Sequence, residues 1–390
     1  MNHNPPNHTN PTYEYDPNII DPPITAKQES PIPDQSETFH EINDIRSSTD
    51  FRGYTFSNYK KTDAKKLMIE AMNKSKVEPA CYWCAEMICA GHFSDVWEII
   101  LFYTSKYIHL GNPKIAIYLD MRYNVFRNIM NQNFHASDIE VRNNPKIRRL
   151  FAEIICTITL SEKKPSFEQV KINSNDEFDM TQITNKLRAD STSYIDDFFK
   201  PKDPRGLYIA LNEFAYSVSS TGSNMASACY WIEWVLEFET ICKRRKEPVI
   251  CVNRQYNIGD KFRCNVIWII WDILLSGSEK HANCIIDKTM KALLNLFCIK
   301  YTDATPKRRR YLLYYAVGLL TEQVTLNREI LSNRELLYTV TNQIEELYKQ
   351  IKTNEQTPNT EYLFNGLDKK KCIEQSIKRI ELVGQIDKTI

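Results

Sequence analysis

The sequence predicts an all-α protein of two related multi-helix halves, set behind a disordered acidic tail. Three observations carry this. First, Ala80-Cys81-Tyr82-Trp83 returns as Ala228-Cys229-Tyr230-Trp231, and each copy runs on with apolar residues at helical spacing and an acid, Glu86 or Glu233. Second, each copy is followed, after further helical patterns, by Pro-Lys-x-Arg-Arg at a helix start, at Pro145 and at Pro306. One helical unit used twice accounts for both. Third, apolar residues recur at three- and four-residue steps almost throughout, and glycine is scarce, at 10 of 390 residues. Nucleotide-binding α/β folds need glycine in their turns, so that class is disfavoured.

Residues 1–55 read as the tail. They hold eight of the 17 prolines and little to bury. The first helical unit is expected over 56–165. Asp63 starts a helix with Leu67, Met68, Ala71 and Met72 on one face. Pro79 opens the next, from Ala80 to Ala90, and Gly91 stops it. Ser94-Asp95 begins a third, with Val96, Trp97, Ile100 and Leu101. A fourth follows the Gly111-Asn112-Pro113 turn, with Ile115, Leu119, Tyr123 and Phe126 as its stripe. Asn143-Asn144-Pro145 caps a fifth, to Leu160. Residues 166–202 are polar and uneven and read as a linker.

The second unit is expected over 203–325. It opens with Leu207, Leu211, Phe214 and Ala215 on one side, then a Ser/Gly/Asn loop, then the second Ala-Cys-Tyr-Trp helix to Cys242. Val249–Tyr256 reads as a short strand or an extended arm. Helices follow around Val266–Leu274 and Ile285–Ile299, and from Pro306. The C-terminal region, 326–390, holds amphipathic patterns at 329–352 and 368–383.

Formal net charge is +1, from 50 basic and 49 acidic residues, so no polyelectrolyte partner is expected for the chain as a whole. The charge is uneven, however. Residues 1–50 carry nine acids and two bases, which leaves the remainder at about +8. No secretory leader is recognised at the start of the sequence, and no apolar run approaches the length of a membrane span. Eleven cysteines, an odd number scattered through helical patterns, are therefore expected as reduced, buried thiols in an intracellular protein.

Catalytic signatures are missing. There is no G-x-x-x-x-G-K-[ST], G-x-G-x-x-G or H-E-x-x-H, and no cofactor is expected. Cys81-x-x-Cys84, with Cys89 and His92 beyond it, is the one thiol cluster with metal-ligand spacing. A structural zinc site usually takes two such pairs on loops. Here the pair lies inside an apolar helix, and the second copy has Ile232 where the first has Cys84, so buried thiols are the reading. Tyr82, Trp83, Trp97, Tyr230, Trp231, Trp234, Trp268 and Trp271 fall in periodic apolar stretches and are expected in the core, with an aromatic groove for a partner peptide as the alternative at the paired tryptophans.

Three basic clusters stand out: Lys146, Arg148 and Arg149; Lys243, Arg244, Arg245 and Lys246; and Lys307, Arg308, Arg309 and Arg310. Two sit at helix starts, where positive charge opposes the helix dipole. They contact nucleic acid or an acidic protein partner, or form an ordinary solvated face; at Arg148 and Arg149 nearby acids are a further way to offset the charge.

Residues 79–119 resemble the helical C-terminal region of MgsA/RarA-type AAA+ ATPases, relatives of clamp loaders. The shared features are the Ala-x-Tyr-Trp-x-Ala helix, a Gly turn, a helix and a Gly-x-x-Pro turn, together about a tenth of the chain. The ATPase module is not in this sequence, so the resemblance implies a helical assembly module and no ATP-dependent activity. The repeated Tyr-Trp helices and the Leu-Phe-Cys-Ile-Lys-Tyr run at 296–301 also resemble a helical family of large cytoplasmic DNA viruses. The expected function is a non-catalytic scaffold or adaptor for protein–protein assembly, with self-association or other proteins as partners. Linkage to viral replication or virion assembly follows only from the resemblance. The alternative is nucleic-acid binding through the basic helix starts.

Overall fold

The computed structural model describes residues 41–133, 136–173, 178, 183–331 and 333–356. Among them are thirteen α-helices and no β-strand. They are α1 Lys61–Asn73, α2 Val77–Cys89, α3 Phe93–Tyr103, α4 Ile115–Gln132, α5 Asp138–Arg142, α6 Pro145–Leu160, α7 Tyr208–Val218, α8 Met225–Arg244, α9 Ile267–Glu279, α10 Cys284–Cys298, α11 Thr305–Arg308, α12 Arg310–Thr321 and α13 Arg334–Lys352. The pattern expected at 368–383 lies outside the described residues, as do residues 1–40.

Local chemistry sets the boundaries. Ser137 and Glu140 form a reciprocal capping box on α5. Asn144, Asn224, Asn283 and Asn333 each accept a backbone N–H at the start of α6, α8, α10 and α13. Pro145 sits at the first position of α6, where no N–H is needed. Gly91 ends α2 at φ +74°, and a Cβ there would lie 2.9 Å from Ser48 Cβ, so both conformation and space call for glycine. Past α3 the chain loosens into a π-turn over Thr104–Ile108.

The two halves repeat one order of packing. In the first, α1 lies on α2 and α2 on α6; in the second, α7 lies on α8 and α8 on α12. α4 and α10 hold corresponding places and pack against each other. Polar ties cross the same boundary. Asn295 donates to Asp120 at 3.0 Å, Arg309 pairs with Glu98 at 2.5 Å, and the Tyr315 hydroxyl donates to the carbonyls of Asn112 and Pro113. α13 has no counterpart in this scheme and lies across α2 and α6.

One expectation is corrected here, and one pair of alternatives is decided. The tail does not extend to residue 55, because residues 41–55 are built onto the first half. Ile42 and Asn143 exchange two 2.8 Å hydrogen bonds, Phe51 is buried, and His92 Nε2 lies 2.7 Å from the Tyr54 carbonyl. Of the two readings of 249–256, the arm is the one found and no strand forms; Cys251 and Arg254 each donate one backbone bond, to Cys264 and Arg263. Buried Arg254 anchors it, meeting Asp203 at 2.8 Å, Asp272 at 2.7 Å and the carbonyls of Val252 and Phe198. Through Phe198 this anchor reaches into the stretch read as a linker.

Candidate functional site

Two of the basic clusters each bury one arginine, and the third buries none. Arg148 is fully buried. It meets Glu345 of α13 at 2.7 Å and the Asn143 side chain at 2.8 Å, and its guanidinium lies 3.9 Å from the Tyr348 ring centre. Arg309 is buried against Glu98 and the carbonyls of Leu296 and Phe297. Arg308 shares Glu98, Arg310 meets Glu233 at 2.5 Å, and Lys307 meets Glu237 at 3.1 Å. Lys307, Arg308 and Arg310 thus pair within the chain, Arg308 from an exposed position, while Arg148 and Arg309, expected as partner contacts, are corrected to buried internal ties. The reason is desolvation: a buried guanidinium persists only when paired and hydrogen-bonded. Lys146 and Arg149 stay exposed on α6.

The third cluster stands at the C-terminus of α8. Lys243 pairs with Glu239 at 3.0 Å. Arg244, Arg245 and Lys246 are exposed, and none forms an ion pair with a described residue. Lys246 takes the left-handed conformation, φ +63°, and Glu247 N–H donates to the Cys242 carbonyl, so the helix end is closed by its own backbone.

Arg244 and Arg245 border a cleft of about 630 Å³ between α7 and α8. Trp231, Trp234 and Phe238 form its floor, Ile209 and Ile241 its sides, and Arg205 a third cationic edge. Trp234 and Phe238 stack almost parallel, 9° apart, with ring centres 5.2 Å apart. Phe178 lies over both, at 4.9 Å and 6.2 Å. Gly206 permits the close approach at the rim, since a Cβ there would lie 3.3 Å from Phe238 Cζ. The arrangement offers ring stacking, aliphatic contact and three positive charges. Its one thiol, Cys242, has its pKa raised by burial, and no carboxylate or imidazole of the described residues lines the cleft.

No protein-family model, curated protein or solved structure matches this chain. Family and function therefore rest on the residues themselves.

The remaining sequence candidates fall into place as follows. Cys81, Cys84 and Cys89 are buried, and burial pushes all three thiols far above their ordinary range. Among the described residues no group of three or more His, Cys, Asp or Glu side chains is placed to hold a metal ion. Trp97, Trp231, Trp234, Trp268 and Trp271 are buried, while Tyr82, Trp83 and Tyr230 are half-buried. The two readings of Trp231 and Trp234 thus meet: they are core residues that also floor a cleft. Phe178, Ile209 and Arg205 were not singled out by sequence reasoning. The available signal was the acid-flanked Phe178, in Asp176-Glu177-Phe178-Asp179, within an otherwise polar stretch.

Proposed function

We propose that this chain is a non-catalytic helical adaptor that docks a partner protein in the cleft beside α8. The observation that supports this is the rim of that cleft. Arg205, Arg244 and Arg245 remain exposed and unpaired with described residues, beside an aromatic floor, while Arg148 and Arg309 of the other clusters are buried and Lys307, Arg308 and Arg310 pair with acids of the chain. Interfaces of this type place aromatic anchors in the centre and arginine around them. The alternative, nucleic-acid binding through the basic helix starts, is less favoured, because two of its candidate contacts, Arg148 and Arg309, point inward to acids and carbonyls.

Selection of a displayed random peptide library on the wild-type protein and on the double variant Arg244→Glu/Arg245→Glu tests the reading. Peptides enriched on the wild type and lost on the variant are expected. Enrichment that is indifferent to the variant, or no enrichment, overturns it. So does co-elution with mixed DNA or RNA at about 0.15 M salt that the variant abolishes, since phosphate contacts are salt-dependent and non-specific.

A further inference from the structure

We infer that the α8 cleft recognises a non-helical partner segment in which an aromatic residue is flanked by acids, and that Phe178 is the resident copy with which such a segment competes. This rests on the docking reading above and names the partner's chemistry.

The internal repeat shows how this face of the helix is covered elsewhere. Counted from the shared Ala-Cys-Tyr-Trp, Trp231, Trp234 and Phe238 stand where α2 has Trp83, Glu86 and Ala90. In the first half that face is covered by a non-helical turn of chain, closed by hydrogen bonds from Asn58 N–H to the Thr55 carbonyl and from Thr55 N–H to the Tyr59 carbonyl. The Tyr59 ring meets Trp83 edge-on at 5.2 Å, and Ser57 donates its hydroxyl and its backbone N–H to the two oxygens of Glu86, at 2.5 Å and 3.0 Å. The cover is thus a non-helical segment carrying an aromatic ring.

In the second half the carboxylate is replaced by Trp234, so a polar clasp gives way to a stacking surface. Phe178 demonstrates what that surface accepts, with its ring over Trp234 and Phe238. One ring does not use the whole cleft, whose walls continue to Ile209, Ile241 and Cys242. Charge supplies the second half of the argument. Arg205, Arg244 and Arg245 on the rim favour acids beside the ring, and the sequence around Phe178 has them in Asp176, Glu177 and Asp179. Guanidinium groups bind carboxylates bidentately, which rewards an acidic segment over a merely apolar one.

The test uses a fluorescein-labelled peptide, Asn-Asp-Glu-Phe-Asp-Met-Thr, read by anisotropy on the full chain. Binding is expected to tighten about tenfold in Phe178→Ala, which removes the competitor. It is expected to weaken at least tenfold in Arg244→Glu/Arg245→Glu, whose positions are exposed and whose fold is checked by its melting temperature. The same peptide with its acids changed to Lys, or its Phe to Ala, is expected to lose binding. Equal binding by either altered peptide, or unchanged affinity in Phe178→Ala, overturns the inference. If library selection yields arginine-dependent peptides of other chemistry, the docking reading stands and this inference fails. If an oligothymidylate displaces the peptide with similar affinity, the acidic-segment assignment is overturned.

Discussion

Arg148→Met discriminates between a partner-facing and a structural role for the first basic cluster. The side chain is wholly buried, so the charge is held by its partners alone. The substitution removes the 2.7 Å ion pair to Glu345, the 2.8 Å bond to Asn143, the 3.2 Å bond to the Arg142 carbonyl, and the contact with the Tyr348 ring. Breaking a buried pair while its acid remains costs about 3–5 kcal/mol. Unfolding entropy is about 2.1 cal/mol/K per residue, so for roughly 300 ordered residues each kcal/mol moves the midpoint by about 1.5 °C. The expected fall in Tm is therefore roughly 5–8 °C, measured by scanning calorimetry. Glu345→Leu in the same chain is expected to recover a large part of it, because an apolar pair replaces an orphaned charge. A Tm within about 1 °C of wild type, with lost binding to a nucleic acid or an acidic protein, would refute the internal assignment.

Three further outcomes follow from other buried groups. Burial pushes the Asp203 carboxyl up, but Arg254 and the amides of Val252 and Lys200 outweigh it and hold the carboxyl below its ordinary value. The stability this contributes is present above the unfolded pKa and is lost as pH falls through the folded one. Arg254→Ala should thus cost about 3–5 kcal/mol near pH 7 by urea titration, and the gap to wild type should narrow in acid; an equal gap at both pH values would contradict it. Asp120 is raised to about 6 by burial, against the pull of Asn295 and Arg127. Its effect has the opposite sign: stability is highest below the unfolded pKa and falls as pH rises from about 4 to about 6. Asp120→Asn should flatten that limb and melt higher at pH 7, and a lower melting point there would count against it. Among the described cysteines Cys284 is the exposed one, so mass-mapped alkylation of the native protein should mark it first and leave Cys81, Cys84 and Cys89 unmarked until denaturant is added; early labelling of that trio would contradict their burial.

Helix type was legible because it is local. The apolar steps through Val96, Trp97, Ile100 and Leu101, and the Asn144-Pro145 start, each report on a single turn of backbone, and α3 and α6 form where those patterns stand. The end of the tail was not legible. Ile42, Phe51 and Phe56 are too few to form a periodic pattern, and their burial depends on His92, Asn143 and α2, far along the chain. Side-chain pairing was hidden for the same reason. Nothing near Pro145 announces Glu345, and nothing near Pro306 announces Glu98, since both acids arrive by tertiary packing. The cleft needed Phe178, α7 and α8 to converge, so only the repeated helix in its floor was visible beforehand.

The contrast between the clusters has a physical cause in the helix dipole. Positive charge at a helix N-terminus is opposed by the dipole, whereas at a C-terminus it is favoured by about 0.3–1 kcal/mol. The clusters at the start of α6 and around α11 and α12 accordingly draw acids from other elements: Glu345 from α13, Glu98 from α3, and Glu233 and Glu237 from α8. Each such pair also fixes one helix against another, which gives the acids a structural use. The cluster ending α8 has the dipole on its side and needs fewer partners. Lys243 takes Glu239, and Arg244, Arg245 and Lys246 remain unpaired with described residues at little cost to the fold. Freedom of charge at that point follows from its place on the helix. The same place sets it beside half-buried Phe238 in the cleft lining, where a ligand's acids and aromatic ring would meet both at once.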